Sequence, residues 1–365
     1  MAVKVRSFAK INLGLRIGPN RADGFHELLT VYQTIGLHDV IRVSVQRGRG
    51  IEIRCDNSRV PKDESNTCFR VVELTMVALR AKGLVMVEIE KQLPVQGGLG
   101  GASSNAVATL LALERVLKKS LPASERFRIA AEVGSDLPLF LVAGTVLGVG
   151  RGEQVYPLED LPPFHCVVVT PEIGVSTPKA FAEWDRVCGA VGCSADALVR
   201  AAERRSVRSG KDPSLHTSGG QPRAPIPTKS DSKLTLDSVS DRMNELGRGL
   251  SAWLSGAFLD KAHSGAPVRG RAENPLLALV RTGIENDFEQ VVFPEYPELR
   301  EVKRALVRAG AKYASLSGSG STLYGLFASR AEAVRAATRL REQGWRAQAT
   351  ATLTRAQYWR RILMR

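Results

Sequence analysis

Between Pro94 and Ser104 the chain reads Pro-Val-Gln-Gly-Gly-Leu-Gly-Gly-Ala-Ser-Ser, with four glycines at 97, 98, 100 and 101 ahead of a serine pair. Glycine reaches backbone angles closed to other residues, so its amides can approach an anion closely. The stretch lies between a strand-like alternating run, Val85 to Lys91, and an apolar-periodic helical run beginning near Asn105. A helix N-terminus there adds free N–H groups and partial positive charge. Pro94, Val95, Gln96, Gly97, Gly98, Leu99, Gly100, Gly101, Ala102, Ser103 and Ser104 thus form a candidate phosphate-binding loop, with Ser103 or Ser104 as the helix N-cap. A merely tight strand-to-helix connection is the plainer alternative. Two familiar loops are excluded, because Gly-Lys-Ser/Thr is absent and the GxGxxG spacing ends on Ser103. A second run, Ser317, Gly318, Ser319, Gly320 and Ser321, joins two strand-like segments and offers further N–H donors, or forms a plain turn. Phosphoryl transfer also needs an aligned acceptor, a base for its proton and positive charge around the moving group. Asp136, between a helical run and the apolar Leu137 to Phe140, is a candidate base or a surface and capping aspartate. Lys10 alone reads as a solvated cation, and Asn12 shares its strand face because side chains alternate with period two.

The elements that must position these residues follow from periodicity. Residues 3–18, VKVRSFAKINLGLRIG, read as strand, loop, strand, and VVELTMVALRAKG reads as a helix closed by Gly83. SERFRIAAEVG predicts a helix leading into the loop SDLPLF and then the glycine-spaced strand TVLGVGRGE. In the second half, HCVVVTP predicts a strand and STPKAFAEW a helix. Helical patterns recur in SDRMNELGRGLSAWL, NPLLALVRTGIENDFE and PELREVKRALVRAG. The end reads KYASLSG as strand, TLYGLF as strand, SRAEAVRAATRLREQG as helix and WRAQATAT as strand. Two domains are expected, 1–158 and 159–365, since 365 residues exceed one ordinary core.

Composition narrows the class. Hydrophobic residues make up 44% and charged residues 24%, as in a packed soluble protein. No apolar run of membrane-spanning length and no secretory segment is found, so a cytoplasmic location is expected. Cys55, Cys68, Cys166, Cys188 and Cys193 lack CxxC spacing and read as reduced, buried small hydrophobes. Of the net charge of +14, the segment from Arg204 to Lys233 carries seven cations against two aspartates, and the tail from Arg355 to Arg365 four arginines. The segment at 204–233 is rich in Ser, Pro and Gly with little to bury, which predicts a disordered insertion. It contains no Phe, Tyr or Trp, so a nucleic-acid partner is not expected.

GGLGGASSNA, from Gly97 to Ala106, resembles the ATP-phosphate loop of the GHMP kinases, and its Asn105-Ala106 continuation resembles the branch acting on diphosphocytidyl-methylerythritol. FAKINLGL with RADGFHEL, GSDLPLF and SLSGSGSTLYGLF resemble three further motifs of that branch, in the expected order. Two positions depart from the pattern: Ala102 stands where glycine is usual, and Ser135 where alanine is. The resemblance implies an α+β, two-domain fold, an N-terminal ribosomal-protein-S5-like domain and a C-terminal ferredoxin-like domain, with the active site in the cleft between them. It implies ATP on residues 94–104, Asp136 as catalytic base, and Lys10 orienting it and neutralising the γ-phosphate. Asn12 would bond near the reacting hydroxyl, Phe25 and Phe181 would sandwich a cytosine, His26 would read its polar edge, and Thr177 would touch substrate. Ser317, Gly318, Ser319 and Gly320 would close over the phosphate region. Mg²⁺ is expected with ATP, Ser104 being one candidate ligand, and the assembly would be a monomer or homodimer without membrane attachment. A GHMP kinase for another alcohol, homoserine or a mevalonate derivative, is the rival reading.

Overall fold

The N-terminal run folds as one strand. In the computed structural model, which describes residues 2–189, 243 and 284–364, β1 spans Ala2–Asn20 and pairs antiparallel with β2, His26–Gln46. The loop expected inside β1 is replaced by register shifts between Phe8 and Lys10, Asn12 and Gly14, and Ile17 and Asn20. Such bulges re-aim side chains without ending the strand. Alternation is lost because most of β1 is buried on both faces, which makes a strand read as a continuous apolar run.

β3 (Gly50–Arg54), β4 (Leu84–Glu90), β5 (Thr145–Val149) and β6 (Gln154–Pro157) complete a six-stranded sheet of order β3-β4-β2-β5-β6, with β1 paired to β2. Helices α1 (Thr67–Ala78), α2 (Gly101–Leu117), α3 (Ala123–Val133) and α4 (Leu137–Val142) cover one face of it. The predicted loop at Ser135–Phe140 thus becomes a short helix after Asp136, with Pro138 in its first turn, where a missing N–H is harmless.

A second sheet, β10-β7-β9-β8, is antiparallel throughout and built from β7 (His165–Val169), β8 (Tyr313–Leu316), β9 (Leu323–Phe327) and β10 (Ala347–Ala351). Its outer face carries α5 (Thr177–Gly189), α6 (Glu289–Glu295), α7 (Pro297–Arg308) and α8 (Arg330–Glu342). Its inner face meets the first sheet, where Ala9, Ile11 and Leu13 of β1 pack with Cys166, Val168, Tyr324 and Leu326. Four layers result, helix, sheet, sheet, helix. The last helix, α9 (Arg355–Ile362), returns to the first layer and buries Tyr358 and Ile362 beside Val5 and Phe8. Cys55, Cys68, Cys166 and Cys188 are free thiols in the core, and burial pushes those of Cys68 and Cys166 up to about 12. The basic insertion at 204–233, Cys193 and the helical patterns at 240–254 and 274–283 lie outside the described residues, Met243 apart. Among the described residues, no helix is long and apolar enough to cross a membrane.

Candidate active site

β1 carries Lys10 and Asn12 on one face at the point where the glycine loop crosses it, the Lys10 amide donating to the Leu99 carbonyl at 3.0 Å. The Lys10 side chain is 4% exposed, a state tolerable for its cation only with partners around it. It donates to Asn12 Oδ1 at 2.7 Å and lies 3.3 Å from Asp136 Oδ2. Asn12 in turn donates to Thr30 Oγ1 at 2.8 Å. From β2, the Tyr32 hydroxyl donates to Asp136 Oδ1 at 3.1 Å. Burial first, then the neighbouring Asp136 charge, holds the Tyr32 phenol well above the ordinary tyrosine range, so it stays a neutral donor. Asp136 remains 32% exposed and faces a cavity of about 690 Å³.

Two glycine-rich loops meet beside this cluster. Gly98 (φ +78°) lies against Ser317, whose carbonyl a Cβ on Gly98 would meet at 2.0 Å, so only glycine fits. The Ser317 hydroxyl donates to the Gly98 carbonyl at 2.9 Å, and the Thr322 amide to that of Gly97 at 3.2 Å. Gly100 caps α2 in the left-handed region (φ +67°), which displaces the N-cap expected at Ser103 or Ser104. Ser104 is 1% exposed and donates its hydroxyl to the Phe8 carbonyl at 2.7 Å while accepting from Ser7. Its oxygen faces the core, which removes it as a metal ligand. Ala102 is helical, exposed and outside the left-handed region, so alanine fits where the related motif carries glycine. Pro94 to Ser103 line a second cavity of about 340 Å³ with Asn66, Thr67 and Lys91. Gly98 and Ser103 line both cavities.

The far end of the larger cavity is aromatic. His26 stacks on Phe181 of α5 at 4.8 Å and 14°, and its Nε2 lies 2.7 Å from Asp185 Oδ1. Phe25 is 50% exposed with the Arg151 guanidinium 4.8 Å over its ring. Thr177, at the start of α5, shares a 2.7 Å hydrogen bond with Ser319 of the serine-glycine loop. Lys10, Asn12, Phe25, His26, Asp136, Thr177, Phe181, Gly318 and Ser319 therefore line one cavity. Sequence reasoning missed Tyr32, Thr30, Arg151 and Asp185. The pairing of Asn12 with Tyr32 across β1 and β2 is what exposes the first of these, and no sequence motif marks it.

The model of the GHMP kinases N terminal domain matches residues 66–144, and that of GHMP kinases C terminal matches 273–344. The 4-diphosphocytidyl-2-C-methyl-D-erythritol kinase of Solibacter usitatus is 34% identical over 326 residues, covering 89% of this chain and 81% of that protein. The protein of the same name from Heliobacterium modesticaldum is 33% identical, over 92% of this chain and 89% of its own. A crystal structure of 4-(cytidine 5'-diphospho)-2C-methyl-D-erythritol kinase superposes with a TM-score of 0.62 at 27% identity, covering 96% of this chain and 98% of that one. Homoserine kinase from Cytophaga hutchinsonii shares the fold, with a TM-score of 0.64 at 18% identity over 97% and 95% of the two chains.

Proposed function

The chain belongs to the 4-diphosphocytidyl-2-C-methyl-D-erythritol kinases within the GHMP kinases, and from that premise we propose how its residues transfer the γ-phosphate of ATP to the 2-hydroxyl of 4-diphosphocytidyl-2-C-methyl-D-erythritol. The products are the 2-phosphate and ADP, a step of the non-mevalonate route to isoprenoid precursors. ATP occupies the smaller cavity, its phosphates running along residues 97–103 toward Gly98 and Ser103, the residues common to both cavities. The cytidine end lies among Phe25, His26 and Phe181, whose flat rings suit a pyrimidine face. A reacting hydroxyl beside Asp136 gives up its proton to that carboxylate as the oxygen attacks phosphorus and the β–γ bond breaks toward ADP.

Lys10 serves twice in this reading. It holds Asp136 by charge, and its ammonium stands where negative charge gathers on the transferring group. Tyr32 fixes the second carboxylate oxygen, so Asp136 presents one defined geometry. Mg²⁺ fits this site as an ion brought by the triphosphate, since Ser103 at the junction and the part-exposed Asp136 supply oxygen donors. Among the described residues, no group of three or more His, Cys, Asp or Glu is placed to hold a metal. When bound, it neutralises charge on the phosphates. The cytoplasm, where ATP is supplied, is the compartment this chemistry calls for.

The observation that carries the proposal is the Lys10–Asp136–Tyr32 cluster at the meeting of two cavities, one glycine-lined and one aromatic. A GHMP kinase for homoserine or a mevalonate derivative would have no use for the ring cluster at the far end. The test is ATP-dependent phosphorylation of the cytidine-bearing alcohol beside homoserine and mevalonate. Asp136→Asn should lower kcat by about 10²- to 10⁴-fold, the range for a general base. Lys10→Ala should lower it by about 10²- to 10³-fold. Turnover of another alcohol in preference would sink the substrate assignment, and full activity in Asp136→Asn would sink the base.

A further inference from the structure

The serine-glycine loop at 317–320 lies beside the catalytic cluster, and its serines tie it to Gly98 and Thr177. A Cβ built on Gly318 (φ +61°) lies 3.5 Å from both Lys10 Nζ and Asn12 Oδ1, so the loop backbone borders the reacting end of the cavity. Glycine and serine leave a loop with much conformational freedom, which something must remove before the loop can act as a wall. Side-chain bonds from its serines remove part of that freedom, and the connection ahead of α6 holds the loop's backbone carbonyls.

Asn286 is 3% exposed, and its side-chain amide donates to two carbonyls, Leu316 and Gly318, each at 2.8 Å. Its Oδ1 accepts from the Phe288 amide at 3.1 Å, so both polar atoms of the side chain are engaged. The two donated bonds bracket Ser317, whose hydroxyl reaches Gly98 in the nucleotide loop. The peg itself is anchored to the catalytic strand. Leu15 donates its amide to the Glu285 carbonyl at 2.8 Å, and Asp287 donates back to Leu15 at 3.0 Å. The Asp287 carboxylate accepts from the Ile17 amide at 3.0 Å and from the Arg16 guanidinium at 2.9 Å. A chain of bonds therefore runs from β1, which carries Lys10 and Asn12, through Asn286 to the loop that faces them.

We propose that Asn286 is a positioning residue of the transfer reaction, fixing the 317–320 loop at the distance from Lys10 that closes the reacting end of the cavity. It acts through the loop and touches neither substrate. Rotamer-locked supports of this kind matter because a misplacement of about 1 Å in a reacting site costs roughly 100-fold in rate. The inference rests on the kinase reading above for its kinetic part, while its structural part stands alone.

The experiment compares the parent with Asn286→Ala and Asn286→Asp. The aspartate keeps size and the acceptor for Phe288 but removes both donors and sets a carboxylate against two carbonyls. It serves as the informative variant should the alanine protein fail to fold. Hydrogen exchange of the peptide spanning 317–322 should speed at least tenfold in a folded variant. Its kcat should fall roughly 10- to 100-fold, while affinity for CMP, which reads only the aromatic end, stays within about twofold. Unchanged exchange and kcat would overturn the proposal. So would a parallel loss of kcat, CMP affinity and melting temperature, the mark of a general packing role. If the parent itself does not phosphorylate the cytidine alcohol, the functional reading falls, and the exchange comparison still decides whether Asn286 holds the loop.

Discussion

Tyr32 shows how a single side chain can matter without appearing in any motif. Its ring is buried, its hydroxyl points at Asp136 Oδ1, and the Lys10 ammonium sits 5.5 Å from its ring centre. Because burial and the Asp136 charge both hold its phenol above the ordinary range, it remains a hydrogen-bond donor across any working pH. A hydrogen bond to a charged group is worth about 1.5–3 kcal/mol when nothing replaces it. Asp136 is part-exposed, so water can take over some of the role, and the loss belongs at the low end of that span. Tyr32→Phe should therefore lower kcat about tenfold. KM for both substrates should change little, since the ring wall survives. Steady-state kinetics on the folded variant check this, and a kcat equal to the parent's would mean that Lys10 alone orients the carboxylate.

At the scale of elements, the C-terminal helix carries more than its charge suggests. Read as sequence, residues 355–365 are a basic tail, yet α9 is closed by a full capping box between Thr354 and Gln357 and seats Tyr358 in the first core. Tyr358 packs at a tilt with its ring centre 5.3 Å from that of Phe8, two residues ahead of Lys10, and donates to the Phe140 carbonyl, four beyond Asp136. The helix thus packs behind both halves of the Lys10–Asp136 ion pair. Tyr358→Ala should cost about 3–5 kcal/mol, the usual range for emptying a buried aromatic site, read as a lowered urea midpoint. An unshifted midpoint would mean the helix is dispensable packing. The elements legible in the sequence were those with one buried face: α1, β4, α3, α7 and α8 follow their periodicity because solvent marks their other side. β1 was misread as two strands because it is buried on both faces and bulged, and α9 was passed over because four arginines outweighed Tyr358 and Ile362. The glycine loop stood out by its own residue types, whereas Lys10 and Asp136 were singled out only by the motifs they share with the GHMP kinases. Tyr32, Asp185 and Asn286 were not, since each is set by pairing between segments far apart in the chain.

For the whole molecule, buried acids whose ionisation the fold resists set an upper pH limit. Tyr32, Tyr313, Tyr324 and Tyr358 are all raised above the ordinary phenol range, in each case chiefly by burial. Cys68 and Cys166 are pushed up to about 12 for the same reason. In the unfolded chain these groups lose protons near pH 8.5 for the thiols and about 10 for the phenols. The native state therefore binds more protons than the unfolded state above those values, so stability present below them is lost as pH rises. Each group contributes a downward slope of about 1.4 kcal/mol per pH unit between its unfolded and its native value. The urea midpoint should accordingly be flat from pH 7 to 8, bend down as the thiols come into play, and fall steeply beyond about pH 10. Tyr358→Phe isolates one share of this slope at a site that does not touch substrate. It loses the bond to the Phe140 carbonyl and so begins about 1 kcal/mol less stable. Its slope beyond pH 10 should be shallower by one proton, bringing the two curves together as pH climbs. Parallel curves across that range would mean that the Tyr358 phenol ionises in the native state, through a local opening of α9 that frees the ring without unfolding the rest.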